Sequence, residues 1–182
     1  MDAYARGDRG AFARLFERHA ARVYGFLYRH TGDRALSEDL LQQTWLKVHR
    51  ARAAWRRGEP FAPWLYTIAN NARRDAARQR ARAREQLTGD GALPEPKQAP
   101  ASPADDEAAE RVRAALAKLP EATREVIILH RWHDLSFAEI ARVTGDSEGA
   151  VKVRAHRGYV QLRELLTADS STENREAREK IR

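Results

Sequence analysis

The chain has 182 residues, and its 33 Lys and Arg against 26 Asp and Glu leave a formal charge of +7. That length allows one domain or two small ones with a real core, and the basic excess favours a polyanionic partner, nucleic acid foremost. With no cysteine, disulfide scaffolds, Cys-ligated zinc, iron–sulfur clusters and thiol catalysis are excluded, and with neither a long apolar run nor an apolar signal core in MDAYARGDRG the expected location is the cytoplasm.

Charge divides the chain into modules. Residues 1–87 carry 18 basic and 9 acidic side chains, residues 88–107 carry 1 and 5, and residues 108–166 carry 10 and 8. The expected fold is all-α: two small helical domains, 1–87 and 108–167, joined by a flexible acidic linker at 88–107, the second domain containing a helix-turn-helix. The linker holds Pro94, Pro96, Pro100 and Pro103 among small and acidic residues, a composition that buries too little apolar surface to offset its ordering entropy. The polar tail 168–182 reads as frayed chain or a short exposed helical extension.

In chain order, Phe12, Leu15, Phe16, His19, Val23, Phe26 and Leu27 recur at three- and four-residue steps and predict an amphipathic helix over about residues 10–30. After His30–Asp33, Ser37 is the expected cap of a second helix, with Leu40, Leu41, Trp45 and Val48 as its apolar face and Asp39, Gln42, Gln43, Lys47 and Arg50 opposite. The loop RARAAWRRGEP lodges Trp55 among arginines, Arg56 and Arg57 next to it; such an aromatic must either pack locally or stack on a partner.

A third helix is expected from Pro63, whose fixed φ suits a first helical position. Trp64, Leu65, Ile68, Ala69, Ala72 and Ala76 are read toward the core, and Tyr66, Thr67, Asn70, Asn71, Arg73, Arg74 and Arg78 away from it. Six arginines and one acid lie between 73 and 84. Such like charges repel unless an anion shares their space, so a phosphate backbone is the sensible neighbour. Aromatics stack on unpaired bases, amides bond base edges and guanidiniums hold phosphates, the set that a single-strand reader requires.

The back module opens with a short amphipathic stretch at 108–118 and a helix started by Pro120. Then LSFAEIARVTGDSEGAVKVRAHRGYVQLRELL reads as two helices and a tight turn. Ser136 and Glu139 form a capping box, Gly145 ends the first helix, and Ser147 caps the second. Ser147, Ala150, Lys152, Val153, Arg154 and Arg157 make the candidate DNA-reading surface: small residues let the backbone approach the groove, and long basic ones a turn later reach bases or phosphates. His130 and His133 stand three apart but lack further ligands at a persuasive spacing, so no metal is expected. No phosphate loop, nucleophile elbow or triad order is present, and neither catalysis nor a cofactor is expected.

The two modules together resemble a bacterial RNA polymerase sigma factor of the extracytoplasmic-function group, over about residues 10–166. The resemblance is carried by SEDLLQQTWLKVHRA, by FAPWLYTIANNARRDAARQRAR and by LPEATREVIILHRWHDLSFAEIARVTGDSEGAVKVRAHRGYVQLRELL. It implies that Asp39, Gln42, Gln43, Leu46 and Lys47 meet the clamp of core RNA polymerase. It implies that Trp55, Arg56, Arg57 and Phe61 help capture a base flipped from the −10 promoter element, that Asn70, Arg73, Arg74 and Arg78 hold the opened strand, and that Ser147, Ala150, Lys152, Val153, Arg154 and Arg157 read the −35 duplex. An anti-sigma factor is the partner usual in the family, and the acidic linker would enter the polymerase RNA path, its charge imitating nascent RNA. Where the family often has Gly-Thr-Val-Lys-Ser-Arg, this chain has Gly149-Ala150-Val151-Lys152-Val153-Arg154; two hydroxyls are lost, and Val153 can instead touch a thymine methyl. The rival readings are an autonomous helix-turn-helix regulator that does not bind core polymerase, and a nucleic-acid-processing enzyme using the basic helix as a clamp.

Overall fold

The computed structural model describes residues 1–87 and 105–180. Every element in them is helical, and they fall into two compact units, one holding residues 1–87 and 141–145 and the other 105–140 and 146–180.

In the first unit a one-turn helix, α1 (Asp2–Ala5), precedes α2 (Arg9–Thr31). Asp8 caps α2, its Oδ1 accepting from the Ala11 N–H at 3.1 Å. The helix ends at Gly32, whose φ of 65° is the left-handed conformation that glycine adopts without strain. The next helix, α3 (Arg34–Arg50), is capped by Asp33, with Oδ1 accepting from the Leu36 N–H at 3.0 Å. Ser37, expected as the cap, instead lies one turn inside α3. It is fully buried, its hydroxyl donating to the Asp33 carbonyl at 2.6 Å. The physical reason is adjacency: the residue after the Gly32 terminator meets the orphan N–H groups first.

A 3₁₀ turn (Ala51–Ala54) and a loop lead to α4 (Phe61–Leu87), which starts two residues before Pro63. α3 packs against both α2 and α4, and α2 also touches α4. Their shared core holds Val23, Phe26, Leu27, Leu40, Val48, Leu65 and Ala69, all at most 1% exposed. Because α4 is flanked on two sides, its buried stripe is wider than a single-sided helix requires. Tyr66, Asn70 and Arg73, expected to face away from the core, are therefore buried.

In the second unit α5 (Asp105–Ala117) and α6 (Glu121–His133) pack against α8 (Glu148–Lys180), with the short α7 (Phe137–Thr144) between α6 and α8 in sequence. α5 begins three residues earlier than the sequence pattern indicates; DDEAAERVRAALA has neither Pro nor Gly to stop it extending back. The rest of the expected linker, 88–104, lies outside the described residues. Of the two readings of the polar tail, the helical extension holds as far as Lys180. Val126, Ile127, Ile128, Leu129, Ile140 and Val151 are fully buried. Gly158 brings α8 so close to α6 that a Cβ there would stand 2.5 Å from Thr123 Cγ2 and 3.1 Å from Ile127 Cγ1.

No helix among the described residues is long and apolar enough to cross a membrane.

Candidate nucleic-acid interfaces

Three surfaces gather the residues singled out in the sequence. On α3, steps of three and four place Asp39, Gln42, Gln43 and Leu46 on one stripe, and all four are exposed, Leu46 at 48%. A groove of about 790 Å³ between α3 and α4 is lined by Asp39, Gln43 and Lys47 from one helix and by Asp75, Arg78 and Gln79 from the other. Lys47 Nζ lies 3.3 Å from Asp75 Oδ2, and Arg78 Nη2 lies 2.5 Å from Asp75 Oδ1. The hydrogen bond from Lys47, reinforced by Arg78, holds the Asp75 carboxyl below its ordinary range. A second tie crosses the same two helices, Arg80 Nη2 lying 3.6 Å from Asp33 Oδ2.

The second surface surrounds the loop after α3. Trp55 packs locally: it is 8% exposed, and its ring meets Trp64 and Phe61 edge-on at 5.3 and 5.9 Å. Its indole N–H donates to Asp2 Oδ1 at 2.5 Å. Tyr4 shares a hydrogen bond with His49 Nδ1, so α1 is strapped across the start of the loop at two points. Phe61 is half-buried and carries His19 edge-on at 5.2 Å. Desolvation, with Arg18, Arg22 and the N-terminal amine nearby, pushes the His19 imidazole below its ordinary 6.5.

Beside Trp55 in the loop Arg56 and Arg57 are exposed; further along α4 Arg74 is half-buried, and Arg78, which lines the α3–α4 groove, is exposed. Asn70 and Arg73 are found together inside the fold: Asn70 Oδ1 accepts from Arg73 Nη2 at 3.0 Å and from Nε at 3.3 Å. Asp2, Tyr4 and His19 were not singled out as site residues in the sequence. Asp2 and Tyr4 lie 53 and 45 residues from their partners, and no local pattern announces such contacts.

The third surface is the amino-terminal part of α8. Ser136 and Glu139 close the capping box of α7: the Ser136 N–H donates to Glu139 Oε2 at 2.9 Å, and the Glu139 N–H to Ser136 Oγ at 3.3 Å. Gly145 turns the chain at a φ of 80°, and Ser147 Oγ accepts from the Ala150 N–H at 3.2 Å to start α8. Ser147, Ala150, Lys152, Val153 and Arg157 are exposed, Val153 at 52%. Arg154 is half-buried and forms an ion pair with Asp146, a residue the sequence reading passed over. Half-buried His130 of α6 stacks on Phe137 of α7 at 4.5 Å and, through Nδ1, bonds Tyr159 Oη three turns into α8 at 2.8 Å. Its neighbour His133 is buried.

Family models agree with this division. Sigma-70 region 2 matches residues 15–83, and Sigma-70 region 4 matches residues 109–162. An exposed stripe and arginine-rich helix in one unit and a helix-turn-helix in the other are thus those of an RNA polymerase sigma factor, and the chain belongs to the sigma-70 family. It is 44% identical over 170 residues to the RNA polymerase sigma factor CarQ of Myxococcus xanthus, covering 91% of this chain and 95% of that protein. To the ECF RNA polymerase sigma factor SigE of Mycolicibacterium smegmatis it is 35% identical over 180 residues, covering 92% and 67%. Among solved structures, CnrH in complex with the cytosolic domain of CnrY matches with a TM-score of 0.70 at 30% identity, over 91% of this chain and 93% of that one. RpoE in complex with the anti-sigma factor NepR from Bartonella quintana matches with a TM-score of 0.72 at 25% identity, over 87% and 98%. Within the family the chain is of the extracytoplasmic-function group, and it directs transcription initiation. Region 2 across residues 15–83 sets aside the autonomous regulator.

Proposed function

We propose that the two units divide initiation as follows. The α3 stripe of Asp39, Gln42, Gln43, Leu46 and Lys47 docks on core RNA polymerase. Arg56, Arg57, Arg74 and Arg78 hold the phosphates of the opened −10 strand, while half-buried Phe61 and Trp64 offer the stacking surface for an extruded base, with buried Trp55 packed edge-on against both as their support. Asn70 and Arg73 act from inside, keeping α4 at the position from which its outer arginines reach the strand. Ser147, Ala150, Lys152, Val153, Arg154 and Arg157 read the −35 duplex in the major groove.

The protein contributes binding free energy and no bond-making chemistry, which belongs to the polymerase. Opening DNA costs about 1.4 kcal/mol per stacked step, so the strand contacts must offset several such steps. An anti-sigma protein is the partner that would cover the groove between α3 and α4; support comes from the neighbour RpoE, whose structure was solved with the anti-sigma factor NepR. The place of action is the cytoplasm, where core polymerase works.

The docking assignment is carried by the exposed α3 stripe of Asp39, Gln42, Gln43 and Leu46, which lies within the residues that match Sigma-70 region 2. The test is Leu46→Glu in holoenzyme assembly with purified core polymerase, followed by transcription from a genomic fragment library. The variant is expected to keep its melting temperature and lose assembly and transcripts. Normal assembly and initiation would remove the α3 stripe from the polymerase contact.

A further inference from the structure

The ion pair at the start of α8 differs from its neighbour in a way that bears on base recognition. Lys152 and Glu148, one turn apart, pair at 2.7 Å with side chains 56% and 47% exposed. Such a pair is weak and readily exchanged for a phosphate. Arg154 and Asp146 are only 27% and 33% exposed, and two contacts join them: Nη1 to Oδ2 at 2.5 Å and Nη2 to Oδ1 at 3.5 Å.

The carboxylate therefore spans the two terminal nitrogens and meets the guanidinium end-on. Helical side chains lean toward the helix amino terminus, and this contact draws the Arg154 fork back toward the end of α8 that carries Ser147 and Ala150. The hydrogen bonds from Arg154 and its attraction to Asp146 strengthen its hold on its proton, with the buried Glu125 adding to the effect. An arginine has five N–H donors. End-on pairing occupies one on each terminal nitrogen and leaves the lateral edge, Nε–H with the second Nη2–H, as a parallel fork. Among the described residues nothing accepts from Nε.

We infer that Asp146 is a specificity-determining residue of the −35 surface: it holds Arg154 so that the lateral edge meets N7 and O6 of a guanine, and it withholds that guanidinium from the phosphate backbone. This rests on the reading of Arg154 as a base contact. The argument is one of geometry and charge. Guanine is the base whose major-groove edge offers two acceptors to a parallel fork, and a side chain already fixed in one rotamer gives up little freedom on meeting it. An arginine with its charge balanced by a neighbouring carboxylate gains less from an unspecific phosphate than a free one does. Asp146 itself repels the backbone and penalises registers that bring a phosphate to this point.

The experiment uses the full chain assembled with core polymerase and a library of promoter duplexes randomised across the upstream element, with bound fractions sequenced at two salt concentrations. The unsubstituted protein is expected to favour guanine at one base pair by about tenfold, and Arg154→Ala to erase that preference. Asp146→Ala is expected to cut the same preference to about threefold or less, to raise binding to all other sequences and to steepen the salt dependence by about one ion. The double variant should match Arg154→Ala alone. Asp146→Asn keeps the side-chain shape and removes the charge, so it carries the comparison if the alanine variant melts early. Should Asp146→Ala and Asp146→Asn leave the base preference and the salt slope untouched while Arg154→Ala abolishes the preference, Asp146 is a bystander and the inference falls with the reading intact. If Arg154→Ala changes no base preference, the reading itself is wrong and the inference goes with it.

Discussion

Trp55 donates its indole N–H to the carboxylate of Asp2 at 2.5 Å, tying the first helical turn of the chain to the loop that precedes α4. The bond matters because Trp55 is buried: a donor shielded from water that loses its acceptor costs about 1–3 kcal/mol. Asp2→Ala is therefore expected to lower the unfolding free energy measured in urea by that amount and to shift the midpoint down accordingly, whereas Asp2→Asn, which keeps an acceptor oxygen, loses less. Equal midpoints for all three proteins would show that the strap contributes nothing to stability.

Inside α4, the Asn70 side chain is fully buried and accepts two hydrogen bonds from a guanidinium that is itself 6% exposed. Asn70→Ala should cost about 2–3 kcal/mol in a thermal melt, because it strips acceptors from a buried charge. Arg78→Ala, at an exposed ion pair, should change stability by no more than about 0.5 kcal/mol while shortening the lifetime of the open complex at a promoter. A matching loss of stability in the two variants would contradict the division of α4 into an inner and an outer set.

Two glycines of α8 are expected to respond in opposite directions. A methyl group at Gly158 collides with Thr123 and Ile127, whereas at Gly149 it meets nothing within 4 Å. Gly158→Ala should destabilise by about 1–2 kcal/mol, overpacking outweighing the gain in helix propensity. Gly149→Ala should stabilise by about 0.5 kcal/mol and weaken −35 binding by holding the backbone off the groove. Denaturant melts of the full chain measure the first two effects, and a duplex shift assay with holoenzyme measures the third.

His19 gives the first unit a pH dependence of defined sign. Its imidazole is held below the ordinary 6.5, so the folded state binds fewer protons there than the unfolded state. That contribution to stability is complete above pH 6.5 and is lost as pH falls through the lowered value. Between about pH 7.5 and pH 5.5 the melting temperature should fall more for the natural chain than for His19→Gln. Parallel curves would assign the acid sensitivity to other groups.

The sequence made some of this legible and hid the rest for physical reasons. The capping box of Ser136 and Glu139, the Gly145 turn and the Ser147 cap are local, three residues or fewer across, and they stand as read. In the sequence Ser37 reads as the cap and Asp33 as part of the turn, but Asp33 stands directly after the Gly32 terminator and reaches the first orphan N–H groups, so it takes the capping role. Tyr66, Asn70 and Arg73 were misoriented because one apolar stripe was counted for a helix with neighbours on two sides. Asp146 was within reach of the sequence, eight positions before Arg154, given that a long helical side chain leans back toward its own amino terminus. The Asp2 and Tyr4 contacts were out of reach, since only the packed unit brings residues 2 and 55, or 4 and 49, together.

Asp75 accepts from Lys47 on α3 and from Arg78 on its own helix, so one carboxylate is shared between two cations with different prospective partners. Anything that draws the ammonium away leaves the arginine as the acid's principal counterion, and less positive potential then extends toward a passing strand. An incoming phosphate that captures the arginine tightens the acid's grip on the lysine in turn. The two occupancies are thermodynamically linked with equal force in both directions, through the titration of a shared electrostatic debt that requires no backbone movement.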